Sequence, residues 1–456
     1  MPPDSKATPV HDVIVVGAGI AGLTAAWTLR DLDVVLLEAE DRVGGRMRSL
    51  QSDPYWVNLG AHMFPRPGAP LSDLAEELGL TTTAIPGVTL ALEMRRRVVA
   101  SRNIASYPIR LPLTIRERVA LARVGVRVVQ QMLRYNRICR PRSGEPLSET
   151  LRRQLSFLSD RTFAQFLGDL PAGVDALFQT VSHRTPCASE DLSAGCGISM
   201  LAHVFTSSGD SALGYALDGG TEELPRALAR NLGSAIRVRC PVRQVASEPD
   251  GVRVTYTCDG AEQVARARRV IVATTANAAA DIVAGLPTPL EAALRGVRYG
   301  SFLSMGVFTD EPGPTRWDNV YAIATPERTF DYVFNQASPL RTGARRPGGA
   351  LMVYAGGPKA NTLLERTDDQ IREAYERDLV SMCPELNGHI VQAAVQRWPI
   401  GNSYAGIHRV ALQDALELGY PDSGIVLAGD YFTEQGSMQP AMQSGRAAAG
   451  RVRRAL

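Results

Sequence analysis

An apolar run, Val13-Ile14-Val15-Val16, passes directly into Gly17-Ala18-Gly19-Ile20-Ala21-Gly22, and a second apolar run, Val34-Val35-Leu36-Leu37, follows. Short apolar runs bounded by glycine predict strands buried on both faces, and the segment between them predicts a helix beginning near Leu23. Residues 236–239, 242–245, 252–256 and 269–274 show period-two or continuous apolar patterns, punctuated by Asp250-Gly251 and Asp259-Gly260. They predict a small antiparallel meander. Residues 218–224 start a helix with Thr221 as its expected cap. Residues 424–430 read as a buried strand ending in Gly429-Asp430, and residues 436–445 open a last helix. Between these pieces, residues 91–211 are helix-rich. Residues 111–138 carry an apolar stripe, with Arg116, Arg123, Arg127 and Arg134 falling near one face. A solvated outer face, a membrane-surface helix and a landing site for an acidic substrate all fit that pattern. Residues 297–395 mix strand patterns at 302–308, 330–334 and 351–354 with a helix near 368–382. No internal repeat is evident.

The first segment has a chemistry of its own. Gly17 permits a tight turn, Gly19 lets backbone approach a pyrophosphate, and Gly22 lets helix and strand pack closely. The helix start then offers unpaired N–H groups and a positive dipole end to phosphates. Glu38, at the end of the second strand, stands where an acid bonds ribose hydroxyls and repels a 2′-phosphate. Strand, glycine loop, helix and acid together predict a dinucleotide site.

The continuation Glu38-Ala39-Glu40-Asp41-Arg42-Val43-Gly44-Gly45-Arg46 resembles the extended FAD signature of the flavin amine oxidase superfamily. Monoamine and polyamine oxidases, protoporphyrinogen oxidases and phytoene desaturases belong to it. The resemblance implies an α/β fold, in which an FAD-binding Rossmann-like domain of the glutathione reductase type is interleaved with an α+β substrate domain. Residues 1–90, 212–296 and 396–456 would form the first, and residues 91–211 and 297–395 the second. It implies that Gly17, Gly19, Ile20, Ala21, Gly22, Glu38, Ala39, Gly44, Gly45 and Arg46 hold the cofactor's dinucleotide part. Gly60 and Ala61 would approach the flavin, and backbone near Val242 would hold the adenine. Gly429 and Asp430 would bind the ribityl or phosphate region, and Ser437, Met438 and Gln439 would face the flavin N1–C2=O edge.

The resemblance also implies candidates for chemistry: Tyr404 beside the flavin ring, Trp398 upstream of it, His62 on the loop after Leu59, and Ser304 where amine oxidases carry a lysine. Ser437 stands where a second cage tyrosine would be. Ser403 stands where monoamine oxidases attach flavin through cysteine, so FAD is expected to be noncovalent. His183, His203 and Glu434 are weaker candidates.

Composition changes this picture little. The chain has 456 residues, formal net charge +2 and 21% charged residues, which gives no global pull toward nucleic acid. Only Lys6 and Lys359 among its 49 basic residues are lysine. Its six cysteines form no Cys-x-x-Cys pair or disulfide framework, and its six histidines make no metal motif, so no metal is expected. No run is long enough to span a membrane, and a cytoplasmic location, possibly peripheral to a membrane, is the default. The expected function is hydride removal from a small hydrophobic or amine-bearing substrate to flavin, by CH–CH or CH–N oxidation. Oxygen or another acceptor would take the electrons. The missing lysine and half-kept cage favour the protoporphyrinogen oxidase and desaturase side, with a flavin amine oxidase as the alternative. A binding protein like the Rab GDP-dissociation inhibitors, which share this fold without flavin chemistry, is the alternative of another class. An NAD dehydrogenase lacks a second nicotinamide-domain pattern. Oligomeric state and substrate identity are left open.

Overall fold

The first apolar run becomes the middle of a parallel sheet. In the computed structural model, which describes residues 10–86, 88–101, 106–206, 214–341 and 344–456, Val10–Val16 lies between Val34–Leu37 and the end of Ala261–Val272, both parallel to it. Ile236–Arg237 adds a parallel edge beyond Val34–Leu37, and Ile425–Leu427 pairs with the end of Ala261–Val272. Residues 236–237 therefore leave the expected meander, because their backbone pairs with Leu36 and Leu37 of the parallel sheet, while Val238 beyond them is exposed. The expected strand at 269–274 is the last part of a 12-residue strand. Its first half pairs antiparallel with Gly251–Cys258, which pairs in turn with Val242–Glu248. That hairpin brings Cys240 and Cys258 to facing strand ends, where they form a disulfide with Cα atoms 4.6 Å apart. Their separation of 18 residues carries no motif that would have revealed the pair.

Contacts divide the chain into two units. One comprises residues to Met47, Glu222–Val297 and Ala411–Leu456; the other comprises Arg48–Thr221 and Arg298–Val410. Residues 48–90, 214–221 and 396–410, assigned from sequence to the FAD domain, pack within the second unit.

In the first unit the helix begins at Ile20, three residues before Leu23, and runs to Thr28. Its residues from Ile20 to Ala26 are all buried. The last helix, Met438–Ala455, lies against it through Gly445: a Cβ there would stand 2.0 Å from the Ala21 carbonyl oxygen. The helix after residue 221 starts at Glu223 and has no side-chain cap. Thr221 does not serve it; its hydroxyl donates to the Ala61 carbonyl at 2.6 Å instead.

The second unit is built on a seven-stranded sheet. Its order is Ile390–Trp398, Phe302–Thr309, Gly349–Gly356, Tyr332–Asn335, Val320–Ala324, Val88–Met94 and Arg97–Ala100. Strand alternation sends Leu303, Met305, Val307 and Val353 to one face, where Ile371, Tyr375 and Leu379 of the helix Asp368–Met382 cover them. The opposite face carries Phe308, Tyr332, Phe334, Met352 and Tyr354, packed with Tyr55 and Val57. A helical cluster surrounds Ile115–Ile138, whose start is fixed by a reciprocal capping box between Thr114 and Glu117. That cap contributes about 1 kcal/mol. Val124, Val128, Met132 and Tyr135 face the cluster. A second stripe on this helix, Ile115, Val119, Val126, Val129 and Leu133, is exposed.

Because the Gly445 contact is with backbone, neither partner yields by rotating a side chain. Gly445→Ala is expected to lower the melting temperature and weaken FAD retention together, in thermal unfolding followed by flavin release. An unchanged melting temperature would show that the two helices separate at no cost.

Candidate active site

The glycine loop of the first unit is shaped by contacts that leave no room for a side chain. Gly17 has φ +98°, and a Cβ on Gly22 would lie 1.8 Å from the Gly17 carbonyl oxygen. Gly19 is different: a Cβ there would meet nothing within 4 Å, so its open side is available to a ligand. Gly19 is also the N-cap of the helix, and no side chain caps it. The N–H of Leu23 makes the first bond back to the Gly19 carbonyl at 2.9 Å. The N–H groups of Ile20, Ala21 and Gly22 thus have no acceptor within the helix. Gly44 (φ +104°) and Gly45 (φ +53°) bring the next loop beside this turn, and the Gly44 N–H donates to the Ala18 carbonyl at 2.8 Å.

Glu38 stands at the end of the second strand with Ala39 beside it. Its carboxylate accepts from the Ala18 N–H at 2.6 Å and the Glu40 N–H at 2.8 Å. Burial nevertheless raises its pKa above the ordinary carboxyl value. Arg46 Nη1 donates to Asp430 Oδ2 at 2.9 Å, joining two FAD motifs 384 residues apart. Asp430 is buried and follows Gly429, whose N–H donates to Ser444 Oγ at 3.1 Å. Ser437 is the N-cap of the last helix, again without a side-chain cap bond, and Met438 is buried behind it. Gln439 Oε1 is buried with no hydrogen-bond partner. Val242 opens the outermost strand of the meander. Two helix starts without side-chain caps, an open glycine, a ribose-position acid and an orphaned amide oxygen fit FAD. The phosphates suit the first helix start, and the flavin edge suits the last.

The remaining candidates lie in the second unit. Ser304 Oγ and Trp398 Nε1 both donate to one acceptor, the Leu59 carbonyl, at 2.5 and 2.8 Å. Facing registers on adjacent strands, Phe302 opposite Trp398 and Ser304 opposite Gln396, put these donors side by side. They fix the loop of Gly60, Ala61 and His62 that follows. The His62 ring lies 4.2 Å from the Phe334 ring, with Nδ1 3.4 Å from the Gly60 carbonyl. Its Nε2 is buried without a partner. Burial, and then the positive charge of Arg184, push the imidazole down to about 4.

Tyr404 stands apart from this group. It is half-buried on the strand Ser403–Tyr404, paired with Arg298–Tyr299. With Tyr299, Cys187, Asp191, Asn361 and Pro399 it lines a recess of about 210 Å³. Burial raises its phenol pKa.

Lys359 does not take the missing lysine's place. Its ammonium lies 3.2 Å from the buried Asp331 carboxylate and donates to the carbonyls of Thr325, Pro326 and Phe330. The other lysine, Lys6, lies outside the described residues. His183 binds the same carboxylate at 2.8 Å, and His203 Nδ1 meets the Ser199 carbonyl oxygen at 2.7 Å. Sequence reasoning missed Arg184 and the aromatic face of Tyr321, Tyr332, Phe334 and Tyr354. The alternation Tyr332-Val333-Phe334 was its one available signal.

Comparison with known proteins agrees with this geometry. Residues 20–453 match the family of flavin-containing amine oxidoreductases, and the chain belongs to it. FAD is accordingly its cofactor. A probable flavin-containing monoamine oxidase A of Dictyostelium discoideum is 37% identical over 73 residues, 16% of either chain. Human amine oxidase B is 40% identical over 104 residues, 22% of this chain and 19% of its own. The chain thus matches under a fifth of the length of these relatives. An L-amino-acid oxidase of Siganus canaliculatus is 23% identical over 97% of this chain and 85% of its own. Among solved structures, putrescine oxidase bound to putrescine has a TM-score of 0.75 at 20% identity, covering 98% of this chain and 100% of its own. Cyclohexylamine oxidase from Brevibacterium oxydans has a TM-score of 0.75 at 18% identity, covering 98% and 99%. At these identities the structures share the fold.

Replacing Glu38 with alanine removes the acid at the ribose position and strands the N–H groups of Ala18 and Glu40. FAD affinity, measured by equilibrium dialysis, is expected to fall at least about tenfold. Full retention of flavin would mean that this acid does not meet the ribose.

Proposed function

We propose that this protein oxidises the carbon–nitrogen bond of a small amine-bearing substrate to an imine, with the second unit holding the substrate. FAD, when bound, would supply the two-electron acceptor for the hydride on carbon; the nitrogen lone pair would form the new double bond, and the iminium would lose an N–H proton to solvent to give the imine. The observation that carries this reading is His62: a neutral imidazole whose buried Nε2 has no partner, set against aromatic rings. With Nδ1–H directed at the Gly60 carbonyl, Nε2 presents a lone pair. It accepts a hydrogen bond from the substrate nitrogen, while the apolar surround disfavours the ammonium form that cannot lose hydride. Ser304 and Trp398 act by holding the loop that carries His62. Ser403 offers a hydroxyl where a cysteine would be needed for attachment, which supports noncovalent FAD.

A second reading, oxidation of a carbon–carbon bond in a lipophilic substrate, is favoured by one observation. Ser304, at the place expected for the lysine of amine oxidases, spends its hydroxyl on the Leu59 carbonyl. Anaerobic mixing of the flavoprotein with a panel of amines is expected to bleach the yellow band, about tenfold more slowly in His62→Ala. Bleaching by polyenes or porphyrinogens alone would establish the second reading. Bleaching by neither would return the chain to the class of binding proteins.

We further infer peripheral attachment to an anionic lipid surface through Ile115–Ile138. Among the described residues no helix is long and apolar enough to cross a membrane. On this helix, however, Ile115 (82% exposed), Val119, Val126, Val129 and Leu133 (67%) form one outward stripe at alternating spacings of three, four and seven. Arg116, Arg123, Arg127 and Arg134 run along its flank. The helix's one acid, Glu117, is buried and paired with Arg95, so a second copy would bring no carboxylates to those arginines. Anionic headgroups would. The full chain is expected to sediment with phosphatidylglycerol-containing vesicles and not with phosphatidylcholine alone, and Val126→Asp with Leu133→Asp to abolish this. Equal binding by that variant, or none by the parent, would overturn the attachment.

A further inference from the structure

The Arg184 guanidinium lies beside the aromatic face of the second unit's sheet and meets no carboxylate among the described residues. Its position has a local cause. The helix Ala172–Ser182 ends at His183, whose ring is bound to Asp331, and Asp331 directly precedes Tyr332 on its strand. That tie sets the next residue, Arg184, over the Tyr332 ring, with its guanidinium carbon 5.8 Å from the ring centroid. Two other arginines of this unit are paired with acids. Arg328 pairs with Glu93, and Arg345 with Glu311 and Asp318. The half-buried Arg184 guanidinium makes no ion pair or hydrogen bond among the described residues.

The groups around it are unsatisfied in a matching way. Tyr321 and Tyr354 are 2% and 6% exposed, and neither hydroxyl has a hydrogen-bond partner among the described residues. Both phenols and His62 lie in the electrostatic field of Arg184. The rings are contiguous: Phe334 lies 5.6 Å from Tyr321 and 5.6 Å from Tyr354, and Tyr332 lies 5.4 Å from Tyr354. One cation, two hydroxyl donors and one imidazole acceptor therefore border a wall of ring faces. His62 Nε2 is buried without a partner, which is costly, and together with the guanidinium and the two hydroxyls along one apolar wall it describes a ligand's outline.

We propose that Arg184 anchors a carboxylate of the substrate, with Tyr321 and Tyr354 as flanking donors, so that the substrate is a small organic monocarboxylate with an apolar or aromatic body. A single guanidinium matches a single negative charge, and its planar fork suits the two oxygens of a carboxylate. The rings take the apolar body, and His62 Nε2 remains for a group that donates. This rests on the reading above of the His62 face as the substrate side.

The test is calorimetric titration of the purified flavoprotein with 3-phenylpropanoate and with 3-phenylpropanamide, its uncharged counterpart. The carboxylate is expected to bind about tenfold or more tightly than the amide. Arg184→Gln is expected to erase that preference, and Arg184→Lys to restore part of it; flavin absorbance and melting temperature report whether each variant is folded. His62→Ala is expected to keep the preference, because it leaves the cation in place. Equal affinities for acid and amide, binding of neither, or an unaltered preference in Arg184→Gln would overturn the proposal. Heat of binding does not depend on turnover. A carboxylate preference without bleaching by any amine therefore sinks the proposed reaction and spares the anchor. Bleaching by simple amines without the preference does the reverse.

Discussion

The first unit depends on backbone meeting backbone where no side chain fits. Gly22 lies on the Gly17 carbonyl, and Gly445 lies on the Ala21 carbonyl, so the first helix is pressed between its own turn and the last helix of the chain. This closeness makes a start for the helix that no side chain caps. The orientation of its N–H groups is set by main-chain packing, which side-chain motion cannot relax. The pair Arg46–Asp430 then ties the loop after Glu38 to the strand end near the C-terminus. Segments hundreds of residues apart thus become one surface, and the intervening chain is free to build something else.

What it builds is organised around buried polar hubs. The Leu59 carbonyl collects Ser304 and Trp398. Asp331 collects His183, Lys359 and the Gly356 N–H at 2.9 Å. Each hub fixes a neighbour in sequence whose chemistry is exposed to the aromatic face: His62 in the first case, Arg184 in the second. The hubs thereby set the direction of the side chains beside them, and a fully satisfied hub loses most of its value when one donor is removed.

The parts of this molecule legible in its sequence are those whose cause is local. Gly17, Gly19 and Gly22 declare a turn because glycine alone adopts it, and the helix at 368–382 shows its apolar positions and its end residues directly. The long helix was legible too, but only as one stripe; that it presents two, one buried and one outward, depends on what packs against it. Pairing across the fold was hidden. The sheet edge at Ile236–Arg237 is joined to a strand some 200 residues earlier, and the disulfide partners meet only once the hairpin between them closes. Arg184 is one of 47 arginines in the sequence and has no distinguishing neighbour there. What singles it out is its place over the Tyr332 ring, and partners 148 residues apart in sequence, His183 and Asp331, determine that.

Lys359 has a meaning that its structural role does not exhaust. This chain writes nearly every cation as arginine, two lysines against 47 arginines. Such a bias works as a substitution experiment carried out at every basic site at once. Among the described residues one site resisted it, and there the cation must fit among three carbonyls and a buried carboxylate. A compact ammonium satisfies that arrangement, whereas a planar guanidinium is too broad for it. In a composition this skewed, the exception locates a steric limit that no contact distance announces, and the same logic can be applied to other proteins written with so uneven an alphabet.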